Sequence, residues 1–200
     1  MSARPRLAIL ASGGGRSLEN LAERIAAAEL EAEIALVLVD KPGAGALARA
    51  ERWLLPHAVV EKDSAESPEA YSARVFAAIE AVEPKIDLVV LAGFLKLLRI
   101  PPAWSGRVLN IHPSLLPAFG GKGYFGEHVH RAVLERGVEV TGCTVHYVDD
   151  EYDHGKVLLQ RWIPVPAGVT PAELAALVFE QEKEALPAAI RRHFDRLGPG

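Results

Sequence analysis

The sequence contains a single cysteine, Cys143, so no disulfide can form within the chain. Cys143 falls inside an extended run, Thr141 to Val148, where a small buried residue is expected rather than a reactive thiol. Neither sign of charge is in large excess: 22 Lys and Arg stand against 26 Asp and Glu, a net charge of −4 at pH 7. That balance argues against a nucleic-acid footprint or a polybasic membrane anchor, although a pocket's local field can still suit a small anion. No apolar run approaches the ~20 residues of a membrane span. Behind Arg4 and Arg6, the run Leu7 to Ala11 is too short for the core of a signal peptide. Internal repeats and low-complexity linkers are absent, and Gly198, Pro199 and Gly200 read as a frayed tail. The expectation is a soluble, cytoplasmic chain with neither nucleic acid nor membrane as a partner. Half of the 200 residues are hydrophobic, which is enough for one globular domain with a full core.

The first two-thirds alternates short apolar runs with amphipathic stretches. Leu7 to Ala11, Ile34 to Val39, His57 to Val60, Asp87 to Leu91 and Val108 to Ile111 read as strands. Helical spacing runs through Ser17 to Leu30, Ala46 to Leu54, and Ser67 to Val82, where Tyr71, Val75 and Ile79 form one stripe. Strands separated by helices indicate a parallel sheet covered on both faces. Thr141 to Val148 and Val157 to Val165 are extended segments joined by the acidic stretch Asp149 to Lys156, and read as an antiparallel edge pair. Thr170-Pro171-Ala172-Glu173 has the chemistry of a helix start: a capping Thr, Pro in the first turn and Glu three residues on. That helix should reach about Leu186, with Pro187 interrupting or restarting it. The fold class is therefore α/β: a doubly wound, mostly parallel, Rossmann-like sheet with helices on both faces and an antiparallel C-terminal edge.

Ser12-Gly13-Gly14-Gly15-Arg16-Ser17 lies between the first strand and the first helix. Glycines there permit tight turning and close approach of a ligand. The helix that follows offers unpaired N–H groups and the positive end of its dipole, which suit a phosphate. This is not a Walker loop, because no Gly-Lys-Ser/Thr follows, and it is a poor dinucleotide fingerprint, because Leu18 holds the third glycine position. A tight turn without a ligand is the alternative. A place at the C-terminal end of the first strand favours phosphate.

The most informative segment is Asn110-Ile111-His112-Pro113-Ser114-Leu115-Leu116-Pro117. Asn110 and His112 close an apolar strand, and side chains at i and i+2 share one side of it. An amide beside a titratable ring is a pair suited to an oxyanion; cap and core roles are the alternative. His128 and His130, with Asp149, Asp150 and Asp153, invite a metal reading. With no His-Glu-x-x-His and no cysteine cluster, a required metal is not expected. Gly120 to Gly123 should be a mobile loop with Lys122 facing solvent.

The Asn110 to Pro117 segment resembles the signature of the folate-dependent formyltransferase superfamily, and most of all its glycinamide ribonucleotide transformylases. Other segments match in order: Ser12 to Leu18, Leu91 to Leu98, Gly142 to Val148 leading to Asp153, and Gln181-Glu182. The resemblance covers nearly the whole chain. It implies a single domain with a ribonucleotide-phosphate half, about 1–110, and a folate and catalytic half, about 111–200. It implies Asn110, His112 and Asp153 as the catalytic group, and Gly13, Gly14, Gly15, Arg16, Ser17, Gly93 and Glu182 as contacts to the ribonucleotide. The folate site would comprise Leu95, Lys96, Leu97, Leu98, Asn110, Asp149, Asp150 and Asp153. The formyl donor would be 10-formyltetrahydrofolate, the acceptor the amine of glycinamide ribonucleotide, and the protein a monomer or homodimer without a required metal.

In that chemistry Asn110 and a protonated His112 would donate to the formyl oxygen, with Asp153 raising the pKa of His112. The chain departs from the family pattern in four places. Arg16-Ser17 stands where Ser-Asn or Thr-Asn is frequent, and His154 follows Asp153 where Gly is frequent. Pro68 replaces an arginine that helps to hold the folate tail, and Phe179 stands where some members have a Gln. The nearest alternatives are a 10-formyltetrahydrofolate hydrolase, which commonly carries His-His at the catalytic position and a preceding regulatory domain, and a methionyl-tRNA formyltransferase with a C-terminal domain. Here His112 is followed by Pro113, and with a strand expected from Leu7 and the sequence ending at Gly200 neither addition is expected. A non-catalytic nucleotide or folate sensor belongs to a different class and has no need of Asn110, His112 and Asp153 together.

Overall fold

The computed structural model describes residues 4–198, so Pro199 and Gly200 of the expected tail lie outside the described residues. Five helices and seven strands alternate as expected for α/β. In chain order they are β1 (Arg6–Ala11), α1 (Arg16–Ala26), β2 (Glu33–Val39), α2 (Gly45–Arg52), β3 (His57–Val59), α3 (Pro68–Glu80) and β4 (Leu88–Leu91). After a single 3-10 turn at Pro102–Trp104 come β5 (Val108–His112), α4 (Glu127–Arg136), β6 (Val140–Tyr147), β7 (Val157–Pro164) and α5 (Pro171–Leu197). The strands of the seven-stranded sheet are ordered β3-β2-β1-β4-β5-β6-β7. The chain divides into two compact units, Met1–Leu109 and Asn110–Gly200.

In the first unit, β1 pairs in parallel with β2 and β4, and β2 in parallel with β3. All of Leu7 to Ala11 and Leu88 to Val90 are fully buried, which is why these strands read as unbroken apolar runs rather than alternating ones. The strand order reverses beside β1, between β2 and β4, and such a switch point is where open α/β sheets leave a crevice at their carboxyl ends. Helix α3 starts where Ser67 Oγ accepts from Ala70 N, with Pro68 in the first turn. Its stripe of Tyr71, Val75 and Ile79 is fully buried, each residue contributing about 1.5–3 kcal/mol of transfer free energy. Helix α1 is shorter than its hydrophobic spacing suggested. Ala28 takes a left-handed φ of 58°, and the N–H groups of Glu29 and Leu30 turn back onto the carbonyl of Arg24, so the chain leaves the helix before Leu30.

In the second unit, β6 and β7 pair antiparallel, with Gly142 opposite Trp162 and Thr144 opposite Gln160. A side chain at Gly142 would run into the carbonyl of Arg161, so glycine is required for the strands to close. Helix α5 opens with the expected capping box between Thr170 and Glu173 and then runs through Pro187 without a break. Pro187 lies on the helix's buried side with Ala185, Leu186, Ala189 and Ile190, and packing of that side against β6, β7 and α4 outweighs the lost backbone hydrogen bond. Helix α4 was not anticipated: glycines and charges flank it and obscure the buried pair Val129 and Val133, one helical turn apart. No helix among the described residues is long and apolar enough to cross a membrane.

Candidate active site

The first unit supplies a glycine turn at the carboxyl end of β1. Ser12 is buried there: its N–H donates to the carbonyl of Gly93 at 3.0 Å and its Oγ accepts from Leu95 N at 2.9 Å. Gly13 and Gly14 are exposed, and a side chain at either would meet open space. Gly15 is buried at φ 76°, and it is the N-cap of α1 with no side-chain cap. Helix α1 therefore presents its first N–H groups uncapped by a side chain, with exposed Arg16 and half-buried Ser17 beside them. Gly93 also takes a left-handed φ, 78°, where β4 turns into the Leu95 to Leu98 segment. Leu95 is exposed, Leu97 half-buried and Leu98 buried. Lys96 Nζ lies 3.7 Å from Asp40 Oδ2, and the buried Asp40 Oδ1 has no hydrogen-bond partner. Pro68 is the first residue of α3.

Gly15 admits no other residue. An alanine methyl there would sit 2.7 Å from Ala46 Cα and 2.8 Å from Ala46 Cβ, on a backbone that already disfavours a side chain. Gly15→Ala is expected to cost about 2–4 kcal/mol, from left-handed strain plus overpacking. A fall in the urea midpoint at unchanged slope checks it.

The second unit brings Asn110, His112 and Asp153 together. Asn110 Nδ2 donates to Asp153 Oδ1 at 3.2 Å, and His112 Nδ1 lies 3.4 Å from Asp153 Oδ2. The two β5 side chains thus meet the two oxygens of one carboxylate, as their i and i+2 spacing requires. Asp153 sits in the loop between β6 and β7 with a left-handed φ of 55°, and it also accepts from Gly121 N at 2.9 Å. Gly120 keeps this loop close: an added methyl would require Leu116 Cδ2 to move and would lie 3.2 Å from Asp153 Cβ. The exit from β5 is fastened by Thr144 on β6: its Oγ1 donates to Ser114 O at 2.7 Å and accepts from Leu116 N at 3.0 Å.

His146, which the sequence reading passed over, completes the group. Its Nδ1 donates to the carbonyl of Tyr147 at 2.9 Å, leaving Nε2 as the acceptor for Asn110 Nδ2 at 3.1 Å. The signal was present as two polar residues, Thr144 and His146, two apart and on one side of a buried strand. With its two hydrogens directed to His146 and Asp153, the Asn110 amide is fixed in orientation.

The electrostatics correct one expectation. Burial is the largest influence on His112 and pushes its pKa down; Asp153 pushes it up, but the net value lies below the ordinary one for histidine. His112 is therefore neutral at pH 7, not the imidazolium anticipated. Its Nε2 donates to the carbonyl of Phe119 at 2.8 Å, so Nδ1, facing Asp153, is the unprotonated nitrogen. For Asp153, burial acts upward, yet the pKa lies below the usual carboxylate value: the N–H of Gly121 and the Asn110 amide donate to the carboxylate, and His146 and His112 add to this only when protonated. An anionic carboxylate behind an open imidazole nitrogen is an arrangement that accepts a proton.

The other candidates are less tightly gathered. Asp149 binds His154 at 2.8 Å and accepts from Glu151 N, so His154 both faces solvent and braces its loop. Asp150 and Lys122 are exposed. Glu182 on α5 is near enough to Cys143 on β6 that, after burial, its charge helps to raise that thiol to about 12, which makes Cys143 inert. His128 and His130 lie on different faces of α4, one exposed and one buried, so they do not converge. Among the described residues no three His, Cys, Asp or Glu side chains are grouped to hold a metal ion.

Residues 5–190 match the formyl transferase family. The chain is 40% identical over 188 residues to the trifunctional purine biosynthetic protein adenosine-3 of Gallus gallus, covering 93% of this chain and 18% of that protein. It is 32% identical over 189 residues to the phosphoribosylglycinamide formyltransferase of Bacillus subtilis (strain 168), covering 94% and 93% of the two chains. Among solved structures, glycinamide ribonucleotide transformylase 1 from Symbiobacterium toebii superposes with a TM-score of 0.86 at 34% identity, covering 96% of this chain and 88% of that one. A formyltetrahydrofolate deformylase from Pseudomonas syringae superposes with a TM-score of 0.83 at 27% identity, covering 96% and 62%. The fold, the β5 signature and these likenesses agree: the chain belongs to the formyl transferase family, in its phosphoribosylglycinamide formyltransferase group.

Proposed function

We propose that this protein transfers the formyl group of 10-formyltetrahydrofolate to the amine of glycinamide ribonucleotide, a step of purine synthesis. The observation that carries the reading is the Asn110–His112–Asp153 network, in a chain of the phosphoribosylglycinamide formyltransferase group. The domain works as two functional halves. In the first, Gly13, Gly14, Gly15, Arg16 and Ser17 take the phosphate, Gly93 lines the ribonucleotide, and Leu95, Lys96, Leu97 and Leu98 take the pterin. In the second, Asp149, Asp150 and Asp153 complete the folate site and Glu182 contacts the glycinamide.

The amine lone pair attacks the formyl carbon, and the carbonyl electrons move onto its oxygen. The neutral His112, backed by anionic Asp153, accepts the proton that the amine loses. Asn110 and His112 donate to the oxyanion. In the structure their hydrogens rest on Phe119 O, His146 Nε2 and Asp153, and the first two of these are neutral acceptors, exchanged favourably for a charged one. Collapse re-forms the carbonyl, breaks the bond to folate N10 and returns the proton to that nitrogen. One proton leaves the amine and one reaches N10, so the transfer is balanced.

The test follows release of tetrahydrofolate from 10-formyltetrahydrofolate with and without glycinamide ribonucleotide. Release that requires the ribonucleotide and yields its formylated product supports the transferase. Release without it assigns a hydrolase, and binding without release assigns a sensor.

A further inference from the structure

The carbonyls of Gly13 and Gly14 have partners, and both partners come from α2, whereas Gly15 O accepts from Glu19 N within α1. Gly13 O accepts from Ala46 N at 3.0 Å, and Gly14 O accepts from Arg49 Nε at 2.7 Å. In a trans peptide the C=O and N–H point in opposite directions. Drawing these two carbonyls toward α2 therefore turns the N–H groups of Gly14 and Gly15 to the other side. Gly15 at φ 76° followed by helical Arg16 is the alternation that makes successive N–H groups converge on an anion. Helix α2 lies close enough to enforce this: an added methyl at Gly45 would sit 3.1 Å from Gly14 Cα, and one at Gly15 would strike Ala46.

Arg49 is itself held. Its NH1 pairs with Glu19 in α1, which also receives Arg52 NH2 and, at 2.9 Å, Trp53 Nε1. Burial raises the pKa of Glu19, but the bonds from Trp53, Arg49 and Arg52 outweigh it and keep the carboxylate ionised. The guanidinium thus spans from α1 to the turn through two different nitrogens, a reach that a lysine ammonium lacks.

We propose that Arg49 is a positioning residue for the phosphate turn: it holds the Gly14 carbonyl away from the ligand and so aims the Gly15 N–H at the phosphate. The inference rests on the reading of this turn as the ribonucleotide-phosphate site and names what shapes it. Arg49 acts through Gly14 and is not a catalytic residue.

The test compares wild type with Arg49→Met, Arg49→Lys and Glu19→Gln in steady-state kinetics, with inorganic phosphate as a competitor of the ribonucleotide. Arg49→Met is expected to raise KM for the ribonucleotide and Ki for phosphate together, by about tenfold or more, with kcat and folate KM within about twofold. Arg49→Lys and Glu19→Gln should move the same two constants by smaller factors, and they carry the test if circular dichroism shows Arg49→Met unfolded. An unchanged phosphate Ki in folded variants overturns the role of Arg49, as does an equal rise in both KM values. Absence of competition by phosphate in the wild type instead removes the phosphate reading of the turn, and the inference with it.

Discussion

Asp153→Asn is expected to lower turnover by at least about two orders of magnitude while the protein still folds and binds both substrates. The amide fills the same space and can still accept from Gly121 N, but its NH2 then replaces the oxygen that accepts from Asn110, so the charge and one acceptor are removed together. In the proposed mechanism that charge, 3.4 Å from His112 Nδ1, stabilises the imidazolium formed when His112 takes the amine proton. It also lifts the pKa of His112 against burial, so in the variant that pKa falls further. A base that must be unprotonated loses activity as pH drops through its pKa. The acid limb of the pH–rate profile should therefore move to lower pH in Asp153→Asn, beneath a much lower plateau.

The same residue makes a stability prediction with a definite sign. Asp153 has a depressed pKa in the folded state, so its contribution is present above the unfolded value of ~3.9 and is lost as pH falls through the folded value. His112, also depressed, binds its proton less readily when folded, so stability declines as pH falls from its unfolded value of ~6.5 toward the folded one. Urea midpoints between pH 3 and 7 should show Asp153→Asn losing the carboxylate part of this dependence, while the His112 part extends to lower pH because its folded pKa falls further. Near-wild-type turnover in the variant would remove Asp153 from the mechanism.

The second large effect is expected for His112→Ala, again a loss of at least about two orders of magnitude in turnover. The substitution removes the proton acceptor and one oxyanion donor at once, and effects of groups acting as a unit do not add. The carbonyl of Phe119 loses its donor as well, so the variant should be less stable by about 1–3 kcal/mol. Added imidazole should restore part of the activity of His112→Ala and none of that of Asp153→Asn. Failure of rescue together with intact folate binding would argue that the ring only supports the loop at Phe119.

Much of this was readable one residue at a time. The buried parallel strands announce themselves as unbroken apolar runs, because their surroundings are apolar on both faces. Ser67 and Thr170 mark helix starts because capping is a local hydrogen bond within four residues. Asn110 and His112 share a side because a strand repeats every two residues. Signals of this kind act over a few positions and need no knowledge of the rest of the chain.

Other features depend on groups far apart in sequence. Helix α5 passes through Pro187 because burial along its length outweighs one lost hydrogen bond. His146 joins the site because β6 lies beside β5, 36 residues away. Arg49 matters because α2 packs on a turn 35 residues before it. The protonation state of His112 was the subtlest case: from sequence a neighbouring carboxylate predicts a raised pKa, but desolvation acts more strongly, and desolvation is a property of the packed interior. The sequence alone carried the fold class, the helix caps and the placing of Asn110 and His112 on one side of a strand, since short-range sterics and hydrogen bonding settle those. Packing settled which of these groups touch, which way the glycine turn faces and which nitrogen of His112 is open to a proton.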